Sequence, residues 1–316
     1  MSTVKTMRAI SQDVLGGPEV LKEVELELPR PRPNQVLVRV RAAGLNPTDW
    51  KHRSTGGFLG EPPFVLGWDV SGVVEAVGIG VATFRPGDEV FGMLPYPFGS
   101  GSHAEYVTAP VRALTHKPSV IDHTQAGALP LVSLTAWQAL VENADLQPGQ
   151  RVLIHAAAGG VGHVAVQIAK ARGAYVIGTA SAGKHDFLRE IGVDEAIDYR
   201  STDFAEAVKD VDVVLDTLGG ETSVKSLRVL RPGGIVVSIL PVGSDDFHEE
   251  AERLGVRALR MLVDADRAGM RAIADLVEQG KLRPTIARTF TLADAAEAHA
   301  LGDTGRTTGK LVLTVD

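Results

Sequence analysis

Residues 151–162, Arg151-Val152-Leu153-Ile154-His155-Ala156-Ala157-Ala158-Gly159-Gly160-Val161-Gly162, decide the fold. An apolar run, 152–154, ends in small residues and three glycines. Val161, Val164, Ala165, Ile168 and Ala169 follow at i, i+3, i+4, i+7 and i+8, the spacing of one helix face. Lys170, Arg172 and Gly173 close that helix, with glycine in the C′ place. A second apolar run, 175–177, comes next. The unit reads strand, glycine turn, helix, strand over about 30 residues, the size of a βαβ unit.

Such a turn binds phosphate. Its glycines let the backbone approach a pyrophosphate, and the amides and dipole of the helix start face the anion. The pattern is A-x-x-G-x-x-G, with Ala156 or Ala157 where a first glycine is expected. The flanking strands turn a weak glycine signal into a dinucleotide site. An NAD-binding unit carries Asp or Glu about 20 residues past the glycines to hold the ribose 2′-OH. Here the stretch is Gly178-Thr179-Ala180-Ser181-Ala182-Gly183-Lys184, with no carboxylate before Asp186. Ser181 and Lys184 offer a hydroxyl and a cation, which suit a 2′-phosphate. Tyr199-Arg200, ending another short apolar stretch, closes the same pocket. The expected cofactor is NADPH.

A chain of 316 residues is long enough for two domains. A hydrophobic share of 44% with 22% charged residues fits a soluble globular protein. The net charge of 32 − 39 = −7 is dispersed and argues against nucleic acid as a partner. The absence of cysteine excludes disulfides, a thiol nucleophile and thiolate zinc sites. Residues 1–7 lack the apolar core of a signal peptide, and no apolar run has the length of a membrane span. A cytoplasmic location without membrane partners is the default expectation.

Residues 1–43 read as β-rich, with Val36, Val38 and Val40 at the period of a half-buried strand. Pro29, Pro31 and Pro33 mark the loop before it. Further strands are expected over 62–78, after the turn at Pro86-Gly87, and over 102–107. Short strands among many Gly and Pro predict a β barrel. Asp122 or Thr124 caps a short helix, and 134–141 is a longer one. After the glycine unit, strands at 211–215, 235–240 and 256–263 alternate with helices at 187–191 and 224–230. This predicts an open parallel sheet covered by helices. Helices follow at 270–280 and 293–301, and a last strand, 310–315, returns to the first domain. The expected division is 1–123 with 267–316, and 124–266.

The stretches Val65-Leu66-Gly67-Trp68-Asp69-Val70-Ser71-Gly72-Val73-Val74, Pro86-Gly87-Asp88-Glu89-Val90, the alanine–glycine turn with Ala165-Val166-Gln167-Ile168-Ala169, and Gly309-Lys310-Leu311-Val312-Leu313 carry a family likeness. Over nearly its full length the chain resembles medium-chain dehydrogenase/reductases, within them the zinc-free quinone oxidoreductase (ζ-crystallin-like) branch. The resemblance implies an α/β protein: a GroES-like β-barrel catalytic domain plus a Rossmann doubly wound parallel-sheet domain. It also implies a homodimer, joined near 235–240 and 256–263. Zinc-dependent members carry a Cys in the first loop and a Gly-His-Glu later; this chain has Asn46 and Gly67-Trp68-Asp69 there. By resemblance, Ser181, Lys184 and Tyr199 hold the 2′-phosphate, and Asn46 and Thr135 lie near the nicotinamide. The cofactor set is completed by Ala157, Gly159, Gly160, Val161, Gly162, Thr179 and Leu240. The stretch 46–51 is also similar to enoyl reductases of the family, including those of polyketide assembly.

The implied reaction is hydride transfer from NADPH to a quinone or an α,β-unsaturated carbonyl, with donors stabilising the developing oxyanion. Candidates are Asn46 as amide donor, Lys51 as donor or electrostatic stabiliser, Tyr96 stacking on or donating to substrate, and Asp49 orienting Lys51 or Asn46. Each has a structural alternative. Asn46 before Pro47 suits a turn, and Asp49 suits a cap for a helix starting at Trp50. Lys51 suits a solvated face and Tyr96 a packed loop. His155 reads as structural, and His52, His103 and His116 lack metal-ligand spacing. The competing functions are an enoyl-thioester reductase, a non-catalytic NADPH-binding protein and a zinc-dependent alcohol dehydrogenase. The substrate is expected between barrel and sheet, above the strand ends that hold the cofactor.

Overall fold

The computed structural model describes residues 5–241 and 246–316, so the first four residues of the leader reading fall outside it. The chain forms two units, Met1–Leu134 with Asp264–Asp316, and Thr135–Val263.

The first unit opens with eight strands: β1 (Thr6–Gln12), β2 (Lys22–Glu27), β3 (Gln35–Leu45), β4 (Phe64–Val65), β5 (Asp69–Val77), β6 (Glu89–Met93), β7 (Tyr106–Pro110) and β8 (Leu114–His116). Helix α1 (Pro47–Thr55) follows β3 directly, then α2 (His123–Gly127) and α3 (Pro130–Trp137) follow β8. The second unit carries β9 (Arg151–Ile154), α4 (Gly160–Ala171), β10 (Tyr175–Ala180), β11 (Glu195–Asp198), β12 (Val211–Asp216), β13 (Leu230–Ser238) and β14 (Arg257–Arg260). The chain then returns to the first unit with β15 (Ile286–Thr291) and β16 (Lys310–Thr314).

In the first unit, the described residues form a sheet of order β15-β16-β3-β5-β6-β8, with β7 on β3, and a smaller sheet β2-β1-β4. Strand β3 is the spine. Val36, Val38 and Val40 are buried, and their strand pairs antiparallel with β5, β7 and β16. Trp68, Phe84, Phe91 and Met93 fill the interior. In the second unit the order β11-β10-β9-β12-β13-β14 is parallel throughout. Leu153, Ile177, Val214 and Val236, from four of these strands, share one buried cluster with Phe247.

Several boundaries differ from the sequence expectation. The units part between Leu134 and Thr135, not after residue 123, because α2 packs onto β3 and β5. Strand β7 starts at Tyr106: the Ser102 and His103 amides bond Gly67 O and Leu66 O in a loop, and only Ala104 bridges to Ala9. The helix expected at 134–141 begins at Pro130, whose missing N–H suits a helix start, and widens into a π-helix over Gln138–Asn143. The strand expected at 256–263 is paired only over β14. Strands β11 and β15 escaped the hydrophobic pattern because Glu195, Asp198, Arg288 and Thr289 interrupt it.

Candidate active site

The second unit has its topological switch at β9. The chain runs one way to β10 and β11 and the other way to β12, β13 and β14. The alanine–glycine turn leaves β9 at this switch. Helix α4 starts at Gly160 with Gly159 as N-cap, no side-chain cap and no acid in its first turn. Its leading amides therefore have no side-chain acceptor, as a pyrophosphate site requires. A Cβ on Gly162 would stand 2.3 Å from Ala156 O and 2.7 Å from Ala157 Cα, so only glycine lets the helix lie against the turn. These features fit a dinucleotide.

Ala156 adopts φ 47°, the left-handed region that glycine takes freely, one residue before Ala157, which stands at the first glycine position of the common fingerprint. Thr179 holds it there. The Ala156 amide donates to Thr179 Oγ1 at 3.1 Å, and the Ala157 amide donates to Thr179 O at 2.9 Å. His155 braces the turn from below, with Nδ1 3.3 Å from Thr179 Oγ1 and Nε2 2.9 Å from Ser226 Oγ. Burial pushes the imidazole down to about 4, against the pull of Asp216. Ala156→Gly is expected to keep stability within about 1 kcal/mol, since glycine takes this conformation freely. Ala156→Val is expected to lose about 2 kcal/mol or more, because a β-branched side chain resists positive φ. Urea denaturation of both variants checks this.

At the ends of β10 and β11, Ala180 pairs with Asp198, and the Tyr199 amide donates to Ala180 O at 3.3 Å. This brings Tyr199 beside the 3-10 turn Ala182–Lys184, whose N-cap is Ser181. Lys184 and Ser181 are half-buried, and Tyr199 is exposed. Partial burial pushes the Lys184 ammonium down, while the Tyr199 phenol favours its charge. A bound phosphate relieves that cost. Asp186, the first carboxylate past the glycines, is fully exposed and paired with Arg189. Thr135 is buried on α3, and Leu240 is half-buried beyond β13, beside Gly219.

In the first unit, the candidates separate into two groups. Asn46 is the N-cap of α1, so the helix starts at Pro47, earlier than a cap at Asp49 would have it. Asp49 sits at the third helical position, and its Oδ2 accepts the Asn46 amide at 2.6 Å. The Asn46 side chain is 1% exposed and engaged on both sides. Its Nδ2 donates to Asp69 Oδ2 at 2.9 Å, and its Oδ1 accepts from Lys310 Nζ. Lys310 Nζ also donates to Leu45 O at 2.7 Å and lies 3.3 Å from Asp69 Oδ2. The Leu131 amide donates to Asp69 Oδ1 at 2.6 Å. Burial pushes the Asp69 carboxyl up and the Lys310 ammonium down, while each holds the other ionised. Asp49, wholly buried beside Asp69, is pushed up to about 7, mainly by desolvation.

Tyr96 stands in a cluster of rings. Its centroid is 5.3 Å from Trp68, 6.3 Å from His52 and 6.3 Å from Phe58. Tyr96 Oη lies 3.1 Å from Thr48 Oγ1, one turn of α1 before His52. Burial pushes the phenol up and the His52 imidazole down. Lys51 lies on the exposed side of α1, away from Asp49 in the interior. Sequence reading missed Thr48, His52 and the part played by Lys310. The i, i+4 spacing of Thr48 and His52 was the available signal for the first two.

Zinc does not fit these residues. Where zinc-dependent relatives would place ligands, the Lys310 ammonium already satisfies Asn46 and Asp69, and it repels a second cation. The chain has no thiolate, and among the described residues no three His, Asp or Glu group to hold a metal.

The profile of the alcohol dehydrogenase GroES-like domain matches residues 32–119, and that of a zinc-binding dehydrogenase domain matches 191–313. The mouse mitochondrial NAD(P)H oxidoreductase RTN4IP1 is 35% identical, over 96% of this chain and 88% of the relative. A 2-haloacrylate reductase from Burkholderia is 36% identical, over 94% and 96%. The structure of the quinone oxidoreductase from Coxiella burnetii superposes with a TM-score of 0.93, at 39% identity over 99% of this chain and 100% of that one. Escherichia coli quinone oxidoreductase complexed with NADPH gives 0.89, at 29% identity over 98% and 100%. With its barrel strands, its switch-point glycine turn and these relatives, the chain belongs to the medium-chain dehydrogenase/reductase superfamily, in its quinone oxidoreductase branch.

Proposed function

We propose that this oxidoreductase uses NADPH, without zinc, to reduce a quinone or an α,β-unsaturated carbonyl. The observation that carries the reading is the pairing of two anion sites on one sheet. The uncapped start of α4 suits a pyrophosphate, and Ser181, Lys184 and Tyr199 one strand away suit a third phosphate. The E. coli relative, solved with NADPH, supports the cofactor. The Coxiella quinone oxidoreductase and the 2-haloacrylate reductase support acceptors with an electron-poor double bond.

When bound, the reduced nicotinamide supplies hydride. The chain's residues bind and orient. Thr179 and His155 hold the turn, Gly162 lets α4 approach it, and Lys184 meets the sugar phosphate. Asn46 and Asp49 belong to the interior scaffold of the first unit. Of the sequence candidates in that unit, Tyr96 and Lys51 remain to meet an acceptor. The test is NADPH oxidation, followed at 340 nm, with 1,4-quinones, short enones and crotonyl thioester as acceptors. Fastest turnover with a quinone or enone is expected. Fastest turnover with the thioester overturns the acceptor, and no NADPH binding by calorimetry overturns the whole reading.

A further inference from the structure

Resting on that reading, we propose that Tyr96 is the hydrogen-bond donor to the acceptor's carbonyl oxygen, and that Thr48 and His52 are positioning residues that set its hydrogen free for that contact. Proton positions along α1 follow from the hydrogen-bond partners. His52 Nδ1 lies 2.8 Å from Thr48 O. A carbonyl oxygen can only accept, so Nδ1 carries the hydrogen and donates. His52 Nε2 agrees: it is buried without a partner, and a hydrogen placed there would be a buried donor with nothing to meet.

The same Nδ1 lies 3.1 Å from Thr48 Oγ1 and presents its N–H to a lone pair of that hydroxyl. Thr48 then turns its own hydrogen to the other partner within reach, Tyr96 Oη, at 3.1 Å. The phenol oxygen accepts, and the phenol hydrogen is left uncommitted. Rings hold the arrangement still. His52 is 5.0 Å from Trp68, and Tyr96 packs edge-on to Trp68 and Phe58. Tyr96 itself is half-buried, so its hydroxyl works in partly desolvated surroundings where a donor counts for more.

Chemically, hydride arrives at the acceptor carbon, an electron pair moves onto the carbonyl oxygen, and a proton from water completes the product. Tyr96 stabilises the oxygen while that charge develops. A donor used in this way lowers kcat more than it raises KM when removed.

The experiment measures kcat and KM for the best acceptor, with melting temperature and NADPH affinity recorded for each variant. Tyr96→Phe is expected to lower kcat about 100-fold with KM within about threefold. Thr48→Val, nearly isosteric, is expected to lower kcat about tenfold, and Thr48→Ser to restore it to within about twofold. His52→Gln, which keeps a donor near Thr48 O, is the second probe should Thr48→Val fold poorly; a tenfold or smaller fall in kcat with unchanged KM is expected. Turnover within twofold of the parent in both Tyr96→Phe and Thr48→Val overturns the inference while leaving the function intact, as does a Tyr96→Phe defect confined to KM. A parent protein that oxidises NADPH with none of the quinones, enones or thioester tested overturns both.

Discussion

Replacing Lys184 with alanine is expected to weaken NADPH binding roughly 10- to 100-fold and to leave NADH binding within about threefold, the range for losing a charge-assisted hydrogen bond to phosphate. The cause is local. The two cofactors differ only in the 2′-phosphate, and both meet the same uncapped start of α4. A loss specific to one must come from the β10 end, where Ser181, Lys184 and Tyr199 gather. Burial already works against the Lys184 ammonium, so the side chain gains most when an anion sits beside it. The preference should shrink as salt is raised, since a partly exposed pair is screened within about 10 Å at 0.1 M. Ser181→Asp, which adds a carboxylate at the same corner, should push the balance further toward NADH. Calorimetric titration of both cofactors into each variant decides the matter. Equal losses for NADPH and NADH after Lys184→Ala would sink the assignment.

This prediction was accessible from the sequence because its residues lie on one continuous βαβ unit. The turn, the helix period and the missing acid are local signals, and the structure places them where local rules say they belong. The interior of the first unit was not accessible in that way. Lys310, Asn46 and Asp69 are far apart in the chain, and only the antiparallel pairing of β16 with β3 and of β3 with β5 brings them together. A lysine in a strand pattern gives no sign that its ammonium is buried. The same holds for Tyr96, in the loop after β6, and Thr48, on α1, and for His52, which has no metal-ligand spacing and gave no reason to look further. Asn46 reads from sequence as a substrate donor and is found spent on internal partners.

The second large effect is a loss of stability in mild acid. His103, His155 and His299 are buried and are pushed down from 6.5 to about 3, about 4 and about 2, in each case chiefly by burial. In the unfolded chain these rings take up protons near pH 6.5; in the folded chain they stay neutral far below it. Each therefore favours unfolding as the pH falls, by about 1.4 kcal/mol per pH unit. Asp49 works the other way. Its carboxyl titrates at about 7 in the fold against 3.8 ordinarily, so the folded chain gains a proton first and is stabilised as the pH falls toward 4. Asp69, whose buried carboxyl is also pushed up, adds to Asp49, so three protons stand against two and about 3 kcal/mol is lost between pH 6.5 and 4.5, a large fraction of the stability of many domains. The lowered His52 and His123 push in the same direction as the buried three. Asp49→Asn should steepen the acid loss by one proton and raise stability at pH 8, where the parent must hold a buried charge. Urea denaturation between pH 8 and 5 measures both. A parent stability that stays flat from pH 6.5 to 5, or an Asp49→Asn variant with an unchanged slope, would contradict the assignment.

The internal ammonium of Lys310 also bears on how the molecule is made. Residues 135–263 form an uninterrupted stretch of chain and can take their shape as soon as they leave the ribosome. The barrel cannot keep pace. Until residue 310 emerges, the Asp69 carboxylate and the Asn46 amide have no cation to settle on, and β3 has a bare flank where β16 will pair. Synthesis thus delivers the nucleotide-binding half first and leaves the other half waiting for its closing strand, exposed for that interval to chaperones and proteases.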